Sequence, residues 1–245
     1  MYTTNNTYVI AEMACSHEGK VQLAKDIIDG AGEAGADAIQ LQIWAVENMM
    51  APTRKEFEML TNIELSKEQW RQLVEYSRLK YPEMDILAFA YEHKSIPFIE
   101  ELNIDGYKLN SADLSNPLML EAVAKTGKNI NLSVGASTLM EIQQSVDRVQ
   151  RISNSEITLM YGYQAFPTRH EDVHLSYMQK LRSMFELPVG YQDHSDADTQ
   201  SAFWLPAAAV GVGCEVLEKH ITHDRSFKGI DHESALNPDE FGQFI

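Results

Sequence analysis

The chain has 245 residues, 44% hydrophobic and 23% charged, with a formal net charge of −16. That length and composition suit one globular domain with a full core, and the acidity argues against nucleic acid and anionic membranes, which need clustered Lys and Arg. Two cysteines, Cys15 and Cys214, imply no disulfide framework; with no leader-like start and no apolar run of about 18 residues, a cytoplasmic protein is expected.

Short apolar runs then alternate with amphipathic stretches. Tyr8–Met13 reads as a strand and Val21–Ala34 as a helix. Ala38–Ile43 is the second strand. Trp44–Glu64 follows, long for a strand-to-helix loop and therefore expected as an active-site lid. Ser66–Leu79 opens on a capping serine with Gln69 three residues on. Asp85–Tyr91 and Gly106–Asn110 are strands, then Asn116–Lys125 a helix. The beat continues with strand Asn129–Val134, helix Thr138–Arg151, strand Ile157–Tyr163 and helix Asp172–Met184. Strand Pro188–His194, helix Asp198–Val210, strand Glu215–Ile221 and a helix from Asp239 to Ile245 complete it. Eight near-continuous apolar strands alternating with helices predict a parallel α/β fold, a single-domain (β/α)8 TIM barrel over 1–245.

In such barrels the chemistry sits at the C-terminal ends of the strands. His194 and His220 close the apolar strands seven and eight. Neighbouring parallel strands lie about 4.8 Å apart, so both imidazoles can reach one metal ion. Imidazole suits Zn, Fe and Mn alike, and Glu12 or Asp231 could complete the sphere, as could water. Lys108 alternates with Tyr107 and Leu109, which points it into the barrel toward an anion or a carbonyl. Ser111, Ser133 and Asp113 follow strands and also suit helix capping. Gln40, Gln42, Gln164, Phe166 and Gln192 stand at or near strand ends. His17, His170, His174 and His223 read as surface or loop residues, and both cysteines as small apolar side chains.

Several segments carry a resemblance. Val216-Leu217-Glu218-Lys219-His220-Ile221-Thr222 leads to Gly229-Ile230-Asp231-His232 and Leu236-Asn237-Pro238. Ile10-Ala11-Glu12, His17-Glu18-Gly19, Tyr107-Lys108-Leu109-Asn110-Ser111, Asn131-Leu132-Ser133 and Asp193-His194-Ser195 keep their order. Together they resemble the barrel domain of the sialic acid synthase family, across essentially the whole chain.

The resemblance implies a metal-dependent enzyme that condenses phosphoenolpyruvate with an aldehyde sugar, a hexosamine or related aldose, to a 3-deoxy-2-keto sugar acid. It implies His194 and His220 as ligands of a divalent metal, manganese first, with Mg, Zn, Fe or Co as alternatives. It makes Glu12 and Asp231 catalytic or sugar-binding carboxylates. Lys108, Ser111 and Ser133 would hold the phosphoenolpyruvate anion, and Gln40, Gln42, Asp113, Gln164, Phe166 and Gln192 would bind substrate. A homodimer is compatible with it, although no motif marks an interface. The expected chain stops before the family's antifreeze-like domain. The departures are equally specific: Gln40 stands where the family has lysine, Asn110 and Ala112 where it has glycines, Asp113 where it has Glu. Gln164 replaces Asn, Phe166 replaces Tyr and Gln192 replaces Ser. These changes leave two alternatives open, an aldolase or lyase of the same ancestry on another substrate, and a non-catalytic sugar-binding relative.

Overall fold

The computed structural model describes residues 7–245. Eight strands run parallel and pair in sequence order: β1 (Tyr8–Glu12), β2 (Ala38–Ile43), β3 (Asp85–Ala90), β4 (Gly106–Leu109), β5 (Asn129–Ser133), β6 (Ile157–Tyr161), β7 (Val189–Asp193) and β8 (Val216–His220). β8 closes on β1 with Ile10 beside Glu218 and Glu12 beside His220, so the sheet has no edge. The helices are α1 (Val21–Ala34), α2 (Val46–Met49), α3 (Phe57–Ile63), α4 (Lys67–Lys80), α5 (Ile96–Glu101), α6 (Pro117–Ala124), α7 (Leu139–Gln150), α8 (Ser176–Phe185), α9 (Ser201–Gly211) and α10 (Pro238–Phe244).

Alternation along each strand builds two cores. Outward residues such as Ile39, Leu41, Ile43, Leu109, Leu132 and Leu159 pack under the helices. Inside the barrel, Ile10, Ala38, Leu87, Met160 and Val216 form an apolar plug with Tyr8 against it. Two residues further along the strands the interior turns polar, with Glu12, Gln40, Lys108, Asn131, Gln192 and Glu218 all buried. The plug thus becomes a dry floor for a polar chamber at the C-terminal end.

The helix ends have chemical causes. Ser66 Oγ accepts from Gln69 N at 3.3 Å while Gln69 Oε1 accepts from Ser66 N at 2.7 Å, closing a capping box on α4. α10 lies on α1, where Gly30 leaves room for Pro238: a methyl added there would stand 3.0 Å from the proline ring.

Some expectations need correction. The long connection Trp44–Glu64 carries two short helices, α2 and α3. α5 was not foreseen, because six residues are too few to register a helical period. β4 stops at Leu109 because Asn110 turns away to accept Ala112 N at 3.1 Å. α8 and α9 begin later than expected, after turns at His170–Asp172 and around Asp196, whose Oδ1 accepts from Asp198 N. Among the described residues no helix is long and apolar enough to cross a membrane.

Candidate active site

A cavity of about 260 Å³ opens at the C-terminal mouth, walled by Glu12, Gln42, Phe89, Tyr91, Lys108, Asn110, Ser133, Gln164, Phe166, Gln192, His194, Glu218, His220 and Asp231. His194 directly follows β7 and His220 ends β8, placing their ring centroids 5.2 Å apart with planes at 67°. Both rings are buried, and the Nδ1 atom of each has no partner. Phe166 packs over them, its centroid 4.3 Å from His194 and 6.4 Å from His220.

Lys108 Nζ donates to Gln192 Oε1 at 2.9 Å and to Glu218 Oε2 in a close ion pair. Ser133 Oγ donates to the same Gln192 oxygen at 2.9 Å. Glu12 Oε1 accepts from Ala14 N at 2.9 Å and Gln42 Nε2 at 2.8 Å, and Glu12 Oε2 accepts from Gln40 Nε2. Tyr91 OH donates to Gln42 Oε1 at 2.8 Å, which fixes that amide with its nitrogen toward Glu12.

Burial, reinforced by the Glu218 carboxylate, pushes Glu12 up to about 8 against the pull of Lys108 and the two amides. Glu12 therefore holds a proton at neutral pH. Gln40 Oε1 is buried without a partner, and turning that amide over would let it accept the Glu12 proton. Burial, with Lys108 and Lys219 nearby, lowers His194 to about 3, and burial together with His194 holds His220 well below the usual imidazole range. Both rings are thus neutral and keep a lone pair for a cation. Burial, with Glu233 beside it, raises Asp231, which sits at a positive φ of 65° after β8.

This donor set fits a divalent ion: neutral imidazoles with free nitrogens, facing carboxylates, are its ordinary ligands. Among the described residues no cluster of three His, Cys, Asp or Glu side chains meets at one point, so water or substrate oxygens would fill the remaining positions.

The structure brings Glu12, Gln42, Lys108, Ser133, Gln164, Phe166, Gln192, His194, His220 and Asp231 to one cavity. It does not bring Gln40, Ser111 or Asp113 to its wall. Gln40 is fully buried beneath, bonded to Glu12. Ser111 and Asp113 lie in the turn after β4, where Ser111 Oγ donates to Asn110 Oδ1 at 3.3 Å and Asp113 Oδ1 accepts from Asn116 at 3.1 Å. Neither caps a helix: Asn110 accepts from Ala112 N at the start of the turn, and Asn116 caps α6 by accepting from Met119 N. His17 is not a surface residue: it is fully buried between Trp44 and Trp70. The wall also holds Phe89, Tyr91, Asn110 and above all Glu218, beyond the residues expected to bind substrate or metal. Glu218 had a signal, because it precedes His220 by two and so must share its inward face. A wider cleft of about 530 Å³ opens beside the cavity, with Asp196, Asp198, Asp224 and Glu233 among its walls.

The fold is a closed parallel (β/α)8 barrel with paired imidazoles, a lysine and buried carboxyl groups gathered at the C-terminal ends of its strands. The chain belongs to the NeuB family, whose pattern matches residues 27–245. An uncharacterized protein of Methanocaldococcus jannaschii is 33% identical over 98% of this chain and 69% of its own length. The N,N'-diacetyllegionaminic acid synthase of Legionella pneumophila is 29% identical over 97% of this chain and 70% of its own. The crystal structure of N-acetylneuraminic acid (sialic acid) synthetase from Leptospira borgpetersenii serovar Hardjo-bovis, in complex with citrate, superposes with a TM-score of 0.90. It is 30% identical and covers 98% of this chain and 81% of that one.

Proposed function

We propose that the chain condenses phosphoenolpyruvate with an aldehyde sugar to give a 3-deoxy-2-keto sugar acid and phosphate. The observation that carries this reading is the meeting of two buried imidazoles with free Nδ1 atoms, Lys108 and Glu12 in one cavity of a NeuB-family barrel. Relatives named as legionaminic acid and sialic acid synthases support it.

His194 and His220 would hold the divalent ion, manganese by preference. When bound, the ion supplies Lewis-acid polarisation of the sugar aldehyde. Lys108 has three donor hydrogens and gives two to Gln192 and Glu218, so one remains for an oxygen of the enol phosphate. The enol carbon bonds to the aldehyde carbon, water adds at the adjacent carbon, and phosphate leaves. Glu12 gives its proton to the oxygen formed from the aldehyde. Gln40 and Gln42 hold the Glu12 carboxyl in one orientation, and Tyr91 holds Gln42. Asp231 and Gln164 bind sugar hydroxyls at the rim, and Phe166 shields the imidazoles from water.

Phosphate release is measured with phosphoenolpyruvate, manganese and a panel of aldoses. Sugar-dependent release matched by a new keto acid is expected. A protein that binds manganese yet releases no phosphate with any aldose refutes the reading. One observation favours a second reading, an aldolase or lyase acting on a less phosphorylated substrate. Lys108, the one Lys or Arg on the described cavity wall, is already paired with Glu218. Cleavage or formation of a keto acid without phosphate release would support it.

A further inference from the structure

The side chain of Gln192 stands where an anionic ligand would bind. Its Oε1 receives two hydrogen bonds, one from Lys108 Nζ and one from Ser133 Oγ, both 2.9 Å long. The atom facing Lys108 must be the amide oxygen, because an ammonium group only donates. Lysine and a serine hydroxyl converging on one oxygen, at the bottom of a cavity, is the way a carboxylate or phosphate oxygen is held. Here a neutral oxygen of the chain itself takes that place, while the Glu218 carboxylate pairs with another hydrogen of the same ammonium.

The neighbouring backbone is built around this side chain. A methyl group added to Gly162, on the adjoining strand end, would lie 2.4 Å from Gln192 Cγ and 2.5 Å from its carbonyl oxygen. Only glycine leaves room there. Gln192 itself is 3% exposed, so its amide cannot turn to bulk water without leaving the site.

We propose that Gln192 is a specificity-determining residue that competes for the oxyanion subsite formed by Lys108 and Ser133. Lys108 keeps one free hydrogen for a ligand, but a small keto-carboxylate must displace the Gln192 oxygen before Lys108 and Ser133 can together grip one of its oxygens. The affinity observed for such a ligand is lowered by the fraction of time the amide is bound. Ligands that reach only the imidazoles and the rim are not subject to this competition. The proposal deepens the functional reading above, because it names which end of that substrate is held weakly and why.

The test measures binding and needs no turnover. Pyruvate is titrated calorimetrically into the full chain and into Gln192→Ala, with Gln192→Ser as a second, more polar replacement that leaves less empty space. Far-UV circular dichroism checks the fold. Pyruvate is expected to bind about tenfold tighter once the competing oxygen is gone, as displacing one or two hydrogen bonds of ordinary net strength requires. Weaker or unchanged binding in a folded variant overturns the proposal, since it makes Gln192 a contact or a bystander. The outcomes are separable from those of the functional reading. Tighter pyruvate binding without phosphate release leaves the competition standing and the synthase reading refuted. Phosphate release by the parent together with weaker pyruvate binding by the variants does the reverse.

Discussion

The His17 ring is uncharged in the folded chain at neutral pH. It is fully buried, its Nδ1 accepts from Gly19 N at 3.0 Å, its Nε2 is buried without a partner, and Trp44 and Trp70 pack on its ring. Burial lowers it to about 4 from 6.5. The unfolded chain therefore binds a proton first as pH falls. The stability that the neutral ring contributes is complete above pH 6.5 and is lost as pH drops through about 4. The loss across that window is on the order of 3 kcal/mol. Urea unfolding at pH 7 and pH 4.5 should show a smaller drop for His17→Gln than for the parent; equal drops would count against this. The imidazole pair is tested separately. His194→Ala and His220→Ala should each lose bound manganese after dialysis while keeping the parent's circular dichroism, and full retention of metal by either would remove that residue from the ligand set.

At the scale of elements, β7 and β8 are stapled on the face that looks away from the cavity. Lys219 and Asp193 form an ion pair of 2.6 Å, both essentially unexposed. Tyr191 and Ser195 add hydrogen bonds of 2.9 and 2.6 Å to the same carboxylate. Because side chains alternate, this pair lies behind His194 and His220 and sets the spacing of the strands that present them. Removing one partner leaves the other charge buried alone. Lys219→Met should destabilise the fold by about 3–5 kcal/mol in chemical denaturation. Adding Asp193→Leu to it should restore part of that loss, and a double variant no more stable than the single one would argue that the pair is not coupled.

The whole molecule carries 36 acidic against 20 basic residues. Such self-repulsion acts against the compact state and is screened by salt. Screening shortens to about 8 Å at physiological ionic strength from about 30 Å at 0.01 M. Raising sodium chloride over that range should increase the melting temperature of the chain, most visibly without divalent metal. A fall would mean that attractive pairs such as Arg225 with Glu240 and Asp198 outweigh the net charge. In the cleft beside the barrel mouth, Asp196, Asp198, Asp224 and Glu233 stand with Arg225 and Lys228, four acidic groups to two basic ones.

Residue order alone specifies the eight strands, the beat of helices and the inward direction of Lys108, His194 and His220. The strands stand out as short, near-continuous apolar runs, the longer helices as amphipathic stretches and the direction of Lys108 by alternation with Tyr107 and Leu109, all of them local signals. The inward direction of Glu218 follows from the same rule, two residues before His220 on β8. The short α5 and the two helices after β2 carry too few turns to leave a periodic trace. What required the folded chain was who partners whom. Lys108 meets Glu218 across 110 residues and Gln192 across 84. Gln40 lies beneath Glu12 instead of at the cavity wall, and Ser111 and Asp113 leave the site for a turn. The shifts of Glu12, His17 and His194 arise chiefly from burial, which is a property of the closed barrel and its covering helices and of no segment taken alone.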